Sequence, residues 1–359
     1  MDIKRLAAEI FDGVTVSALS FGLEDGRGPV FLTLSPRVAN PPGSAWGANF
    51  FRQRGIPLIA VISKQNHWWH TPEIDDLASR VRELIGARPL IMYGASHGAY
   101  GVLHLRNTFG ASYGFALAPQ LAVSPDAAPA DSRWLSDRFA IKFRFNEIQN
   151  LHKQEAPCCV FLDTLDPSER YQYELYTHVD ELNPGGGINL VPVPYFTHDA
   201  TTHIARAKLI VPMLTDAASG LFPNIPAIRP LFADAYKAVP KPFYNYLRQS
   251  KSISSGDLTM FRSHLENSSG YDYQEAYMAS EVFIKIGDLN EAMNWSDRSI
   301  MKAIERYGRI TSDAACKHLR TLKLCRGIDA AIAWWESLDA KHKSAHSTLY
   351  FEKYIALSV

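Results

Sequence analysis

The first 220 or so residues predict a mainly parallel, doubly wound α/β sheet, and the last 90 predict an all-α domain. Three observations carry this. Short apolar runs of strand length alternate with segments of helical period between residues 14 and 216. One run, Pro89 to Tyr93, leads at once into Gly94-Ala95-Ser96-His97-Gly98 and a helix-like segment. Past Gly220 strand signals almost vanish.

In chain order, residues 14–23 hold one or two early strands, and Gly26 and Gly28 mark a turn. Pro29 to Leu34 (PVFLTL) and Ile56 to Ser63 (IPLIAVIS) read as buried strands, with a short helix from Trp46 to Arg54 between them. Pro72 to Ile85 places Ile74, Leu77, Val81 and Leu84 on one helical face. After the Ser96 stretch, SYGFAL ends in a strand at Leu117. Residues 121–156 break the rhythm and read as an insertion or cap. Strand CCVFL (Cys158 to Leu162), a helix over Glu169 to Asp180, strand INLVPV (Ile188 to Val193) and one helix over Thr201 to Leu214 then restore it. These assignments define a catalytic domain over 1–220 and a linker with a helical lead-in over 221–270. A helical-hairpin domain covers 271–359, with pairs at 273–286 and 289–304 and at 312–325 and 329–338. The pairs echo each other, Glu291-Ala292-Met293-Asn294-Trp295 against Ala330-Ala331-Ile332-Ala333-Trp334. The Gly287-Asp288-Leu289-Asn290-Glu291-Ala292 pattern resembles the tetratricopeptide repeat, although 39 residues separate Ala292 from Ala331, more than that family's roughly 34. Such hairpins imply a protein partner. An irregular helical bundle explains the same pattern.

Composition narrows the rest. The chain has 359 residues, 47% hydrophobic and 21% charged, with 37 basic and 37 acidic residues. Zero net charge argues against a nucleic-acid partner. No run reaches a membrane span, the start lacks a secretory signal pattern, and four cysteines without zinc spacing suit a reducing cytoplasm. No cofactor or resident metal is expected.

The chemistry centres on Ser96. A serine hydroxyl needs a base to take its proton. Exposing it requires a sharp strand-to-helix turn, for which Gly94 and Gly98 leave room. The same turn points unpaired N–H groups, that of His97 included, toward a bound acyl oxygen. A glycine-rich turn capped by serine is the bland alternative.

The elbow and the alternation around it resemble the α/β-hydrolase superfamily over about residues 14–216. The resemblance implies a nucleophile–acid–histidine order. Asp166, after CCVFL, stands where the acid belongs, with Asp163 as its rival. It also fits as a turn aspartate or a helix cap above Ser168. His198, after INLVPV, stands where the base belongs, with His203 as runner-up. The second oxyanion donor belongs to the loop after PVFLTL, at Ser35 or Arg37, since Pro36 has no N–H. The Arg37 side chain also suits an anionic group or a surface salt bridge.

His67-Trp68-Trp69-His70 lies on the same rim and suggests substrate contacts, the tryptophans stacking on a sugar or covering an acyl chain, or packing the core edge. The two histidines lack a third ligand nearby. The leading expectation is a serine hydrolase acting on a small-molecule or carbohydrate ester. An acyltransferase with the same triad and a non-catalytic scaffold with a protein-binding tail are the alternatives.

Overall fold

Eight strands form one sheet: β1 (Ala8–Asp12), β2 (Val16–Phe21), β3 (Val30–Leu34), β4 (Leu58–Ser63), β5 (Leu90–Ala95), β6 (Tyr113–Leu117), β7 (Cys158–Leu162) and β8 (Ile188–Pro192). Their order is β1-β2-β4-β3-β5-β6-β7-β8. Strand β2 runs antiparallel to both neighbours, and β3 to β8 are parallel. This is the mainly parallel, doubly wound sheet that the alternating runs predict. The computed structural model describes residues 7–24, 28–182, 187–267 and 270–355. Gly26, one of two glycines expected at a turn, lies outside them.

The apolar runs are buried because helices cover both faces of the sheet. Every residue of β3, β5, β6 and β7 is buried, whereas β2 alternates buried with half-buried positions. The helices of this part are α1 (Ala48–Gln53), α2 (Glu73–Ile85), α3 (His97–Phe109), α4 (Leu135–Ala140), α5 (Glu147–His152), α6 (Pro167–Leu182), α7 (Ala200–Arg206), α8 (Ile210–Ala218) and α9 (Ile225–Ala233). In α2, Ile74, Leu77 and Val81 face the core, as their spacing dictates, and Leu84 is only half-buried. From β3 the chain moves outward to β4, then returns past β3 to β5. The loops after β3 and β5 therefore flank one crevice at the carboxyl edge of the sheet.

Two sequence expectations change. The single helix over Thr201 to Leu214 is two helices, because Lys208 sits at φ 59° and turns the chain between α7 and α8. The chain divides at Ala238/Val239 into two units, Met1–Ala238 and Val239–Val359, not at Gly220. Part of the expected linker is helix α9, capped by Asn224, whose Phe232 ring packs 4.8 Å from Phe161 and whose Arg229 Nε donates to the Leu190 carbonyl.

The second unit is all helix: α10 (Lys241–Gln249), α11 (Ser255–Asn267), α12 (Tyr273–Lys285), α13 (Leu289–Tyr307), α14 (Ser312–Arg326), α15 (Ile328–Ser337) and α16 (Ala345–Tyr354). Capping follows from the residues present. Asp272 and Glu275 form a capping box on α12, while Asp288 and Thr311 cap α13 and α14. The echoed alanines, Ala292 and Ala331, are both fully buried where helices approach closely. No helix among the described residues is long and apolar enough to cross a membrane.

Candidate active site

Ser96 sits between β5 and α3 at φ 52° and ψ −120°, a left-handed conformation that costs a non-glycine residue about 1–3 kcal/mol. Its neighbours explain how the turn is held. A Cβ on Gly94 would strike the Gly98 backbone, and one on Gly98 would strike the Leu34 carbonyl. Both positions therefore demand glycine, for space. The Ser96 N–H donates to the Leu117 carbonyl at 2.9 Å, which ties the elbow to β6. The serine is half-buried.

Across the rim, the loop after β8 brings His198 to it. Ser96 Oγ lies 2.8 Å from His198 Nε2. Behind the imidazole, Nδ1 donates at 3.0 Å to Glu169 Oε1, and the Glu169 side chain is fully buried. A carboxylate only accepts, so its bond fixes the proton on Nδ1 and leaves Nε2 free to take the serine's. The residue behind His198 is thus Glu169, not Asp166. The Asp166 carboxylate is occupied as the cap of α6, accepting the Ser168 N–H (3.0 Å), the Ser168 hydroxyl (2.5 Å) and the Glu169 N–H (3.1 Å). Asp163 accepts the Leu165 N–H and, at 2.7 Å, the Thr197 N–H, stapling the β7 loop to the histidine loop. Burial pushes the Asp163 carboxyl above its usual range despite these bonds. His203 faces Asp199 at 3.8 Å and packs on Phe196.

The oxyanion expectations divide. The Ser35 N–H is spent on the Val61 carbonyl at 3.1 Å, so it is not the second backbone donor, and the Ser35 hydroxyl oxygen accepts the Ser63 N–H. The Arg37 guanidinium is also engaged: Nε and Nη2 donate to Asp137 at 2.6 and 3.0 Å, and the group lies over the Trp134 ring. Burial opposes ionisation of Asp137, but the Arg37 and Trp68 hydrogen bonds outweigh it and hold the carboxyl below its usual range. Among the described residues, the backbone N–H groups of His97 and Arg37 donate to no protein acceptor.

Trp68 and Trp69 are fully buried, which overturns their expected stacking on substrate. Their indole N–H groups donate inward, Trp68 to Asp137 at 3.2 Å and Trp69 to the His97 carbonyl at 2.7 Å. The His97 side chain likewise faces inward. It bridges the Ser35 carbonyl (3.1 Å) and the Trp68 N–H (3.1 Å), locking three rim loops together. His67 accepts the Trp69 N–H on Nδ1 and sits by the Thr15 carbonyl. His70 accepts the Arg144 N–H on Nδ1 and donates through Nε2 to Tyr100, whose hydroxyl donates to Glu147. The two histidines line a cavity of about 360 Å³ with Gln65, Asn66, Thr71 and Lys142, which none of Ser96, His198 and Glu169 borders.

Three residues escaped the sequence reading: Glu169, Arg133 and Trp134. Glu169 lies three positions after Asp166, an Asp-x-x-Glu spacing typical of a helix start, and that spacing was the available signal. Trp134, in the insertion, has φ 58° and places its ring 6.1 Å from that of His198.

Burial holds His70, His97 and His104 down to about 3, far below the 6.5 of a free imidazole. The unfolded chain binds their protons as pH falls below 6.5, whereas the folded protein refuses them until about 3. Stability is therefore complete above that window and is lost as pH falls through it, at up to about 4 kcal/mol per pH unit for three such groups. Thermal melts at pH 7, 5.5 and 4.5 should show a steep decline in Tm, and an unchanged Tm at pH 4.5 would contradict the buried-neutral assignment.

No protein-family model matches the chain, and no curated protein matches it in sequence. Several solved structures are similar in shape. An esterase of Pyrococcus furiosus is 17% identical and aligns over 60% of this chain and 91% of its own, with a TM-score of 0.41. The capsule O-acetyltransferase of Neisseria meningitidis serogroup A is 16% identical over 59% of this chain and 96% of its own, with a TM-score of 0.42. Est1E of Butyrivibrio proteoclasticus, solved with ferulic acid, is 12% identical over 60% of this chain and all of its own, with a TM-score of 0.45.

Proposed function

We propose that this protein is a serine hydrolase that cleaves an ester or related acyl bond through an acyl-enzyme. The carrying observation is the hydrogen-bonded line from Ser96 Oγ through His198 to the buried Glu169. His198 Nε2 takes the Ser96 proton as Oγ adds to the substrate carbonyl carbon. The carbonyl oxygen becomes an oxyanion that the N–H groups of His97 and Arg37 receive. Such a preformed donor is worth about 3–4 kcal/mol of barrier. Collapse expels the alcohol, which leaves with the proton held on His198. Water then attacks the acyl-serine, His198 takes its proton, and the acid departs as Ser96 is restored. Throughout, Glu169 keeps the imidazole in one tautomer and stabilises its charged form.

The test is exposure of the whole protein to a fluorophosphonate and mass-spectrometric mapping of the adduct. A single adduct on Ser96 that a short-chain 4-nitrophenyl ester competes away is the expected result. An intact, folded protein that stays unlabelled would refute the reading.

A further inference from the structure

Glu169 is an acidic side chain with no exposure at all, bonded on one side to the His198 imidazole. A carboxylate buried so completely calls for a cation beside it. What faces it is Arg133, from the insertion after β6. The guanidinium donates through Nη1 to Glu169 Oε1, the same oxygen that receives His198. Glu169 Oε2 is buried and receives no bond among the described residues, so the carboxylate is held by one oxygen.

Arg133 is itself anchored. Its Nε and Nη2 grip Asp131 at 3.0 and 2.8 Å, and Nη2 also donates to the Ser168 carbonyl at 3.1 Å. Asp131 is fixed in turn by Gln172 Nε2 at 2.8 Å, and Gln172 Oε1 accepts the Leu121 N–H at 2.7 Å. Gln172 stands one turn beyond Glu169 on α6, so one helix carries both ends of the clamp.

We propose that Arg133 is a positioning residue for the triad: anchored by Asp131, it pairs with the buried Glu169 carboxylate and keeps it aimed at His198. The proposal rests on the hydrolase reading above. Other charges around this line are mostly acidic. Asp163 bonds the Thr197 N–H, Asp166 caps α6, Asp199 follows His198, and His203 lies beyond Asp199. Removing the one guanidinium from this set leaves the buried carboxylate without its paired cation and free to turn from the imidazole.

The test measures fluorophosphonate labelling of Ser96 against pH in wild type, Arg133→Gln and Arg133→Lys, with Tm recorded for each. In Arg133→Gln the acid limb of the labelling rate should move up by about one pH unit. Arg133→Lys retains the charge but loses the fork. Its acid limb should stay near that of wild type, while the maximal inactivation rate falls about tenfold at unchanged probe affinity, as expected of a misplaced group. A folded Arg133→Gln protein with an unshifted limb overturns the proposal. If that variant does not fold, a folded Arg133→Lys protein with the wild-type inactivation rate overturns it. A wild-type Ser96 that resists the probe at every pH overturns the hydrolase reading itself.

Discussion

Ser96→Ala is expected to lower ester turnover by at least about 10⁴-fold while leaving Tm within about 2 °C of wild type. The size follows from the loss of the hydroxyl oxygen to which the proposed mechanism gives the acyl group. Oxyanion donors and substrate binding remain, so a small residual rate above the uncatalysed one should persist. The small effect on stability follows from the surroundings. Ser96 Oγ makes its described bond to His198 alone, and the strained backbone at φ 52° is no worse for alanine than for serine. Turnover and melting should be measured on the same preparation. A variant that keeps a tenth of wild-type activity would remove Ser96 from the mechanism.

The second large effect separates two carboxylates. Glu169→Gln should cut kcat by about 10³- to 10⁴-fold, because an amide can bond the imidazole without fixing the required tautomer or balancing its charge. Asp166→Asn should change kcat by less than about tenfold. An asparagine oxygen can still accept the Ser168 and Glu169 N–H groups, and asparagine caps helices about as well as aspartate. The pair of variants is decisive because the two side chains stand three positions apart, one capping α6 and one in its first turn. Equal losses in the two, or a larger loss in Asp166→Asn, would return the acid's role to Asp166.

That pair also shows where the sequence stops speaking. Ser96 can be placed from six or so neighbouring residues, because a strand, two space-making glycines and a helix all bear on one turn. His198 can be placed because it follows the last strand run. Glu169 cannot, because the longer glutamate side chain reaches the imidazole from the first turn of a helix and not from the strand end. Asp166 looks right in one dimension because caps and triad acids share the same address, just past a strand. Trp68 and Trp69 mislead for a related reason. They belong to a rim loop, but both rings are fully buried, on a backbone that is left-handed at φ 50° and 64°. Arg133 was hidden inside an irregular insertion, where no periodicity assigns a partner. The parallel sheet, by contrast, was written in the apolar runs themselves. The end of the first unit was not, because α9 is short and proline-rich.

The left-handed backbone at Trp68, Trp69, Ser96, Ala118, Trp134, Tyr195 and Thr197 lies along the loops that follow the strands. Each such residue stores free energy that the rest of the sheet must hold in place. Heat hardening by random mutation would therefore meet its most frequent opportunities at that edge. Glycines admitted there would relax the chain and, by the same movement, blunt the alignment that the hydroxyl, imidazole and carboxylate require.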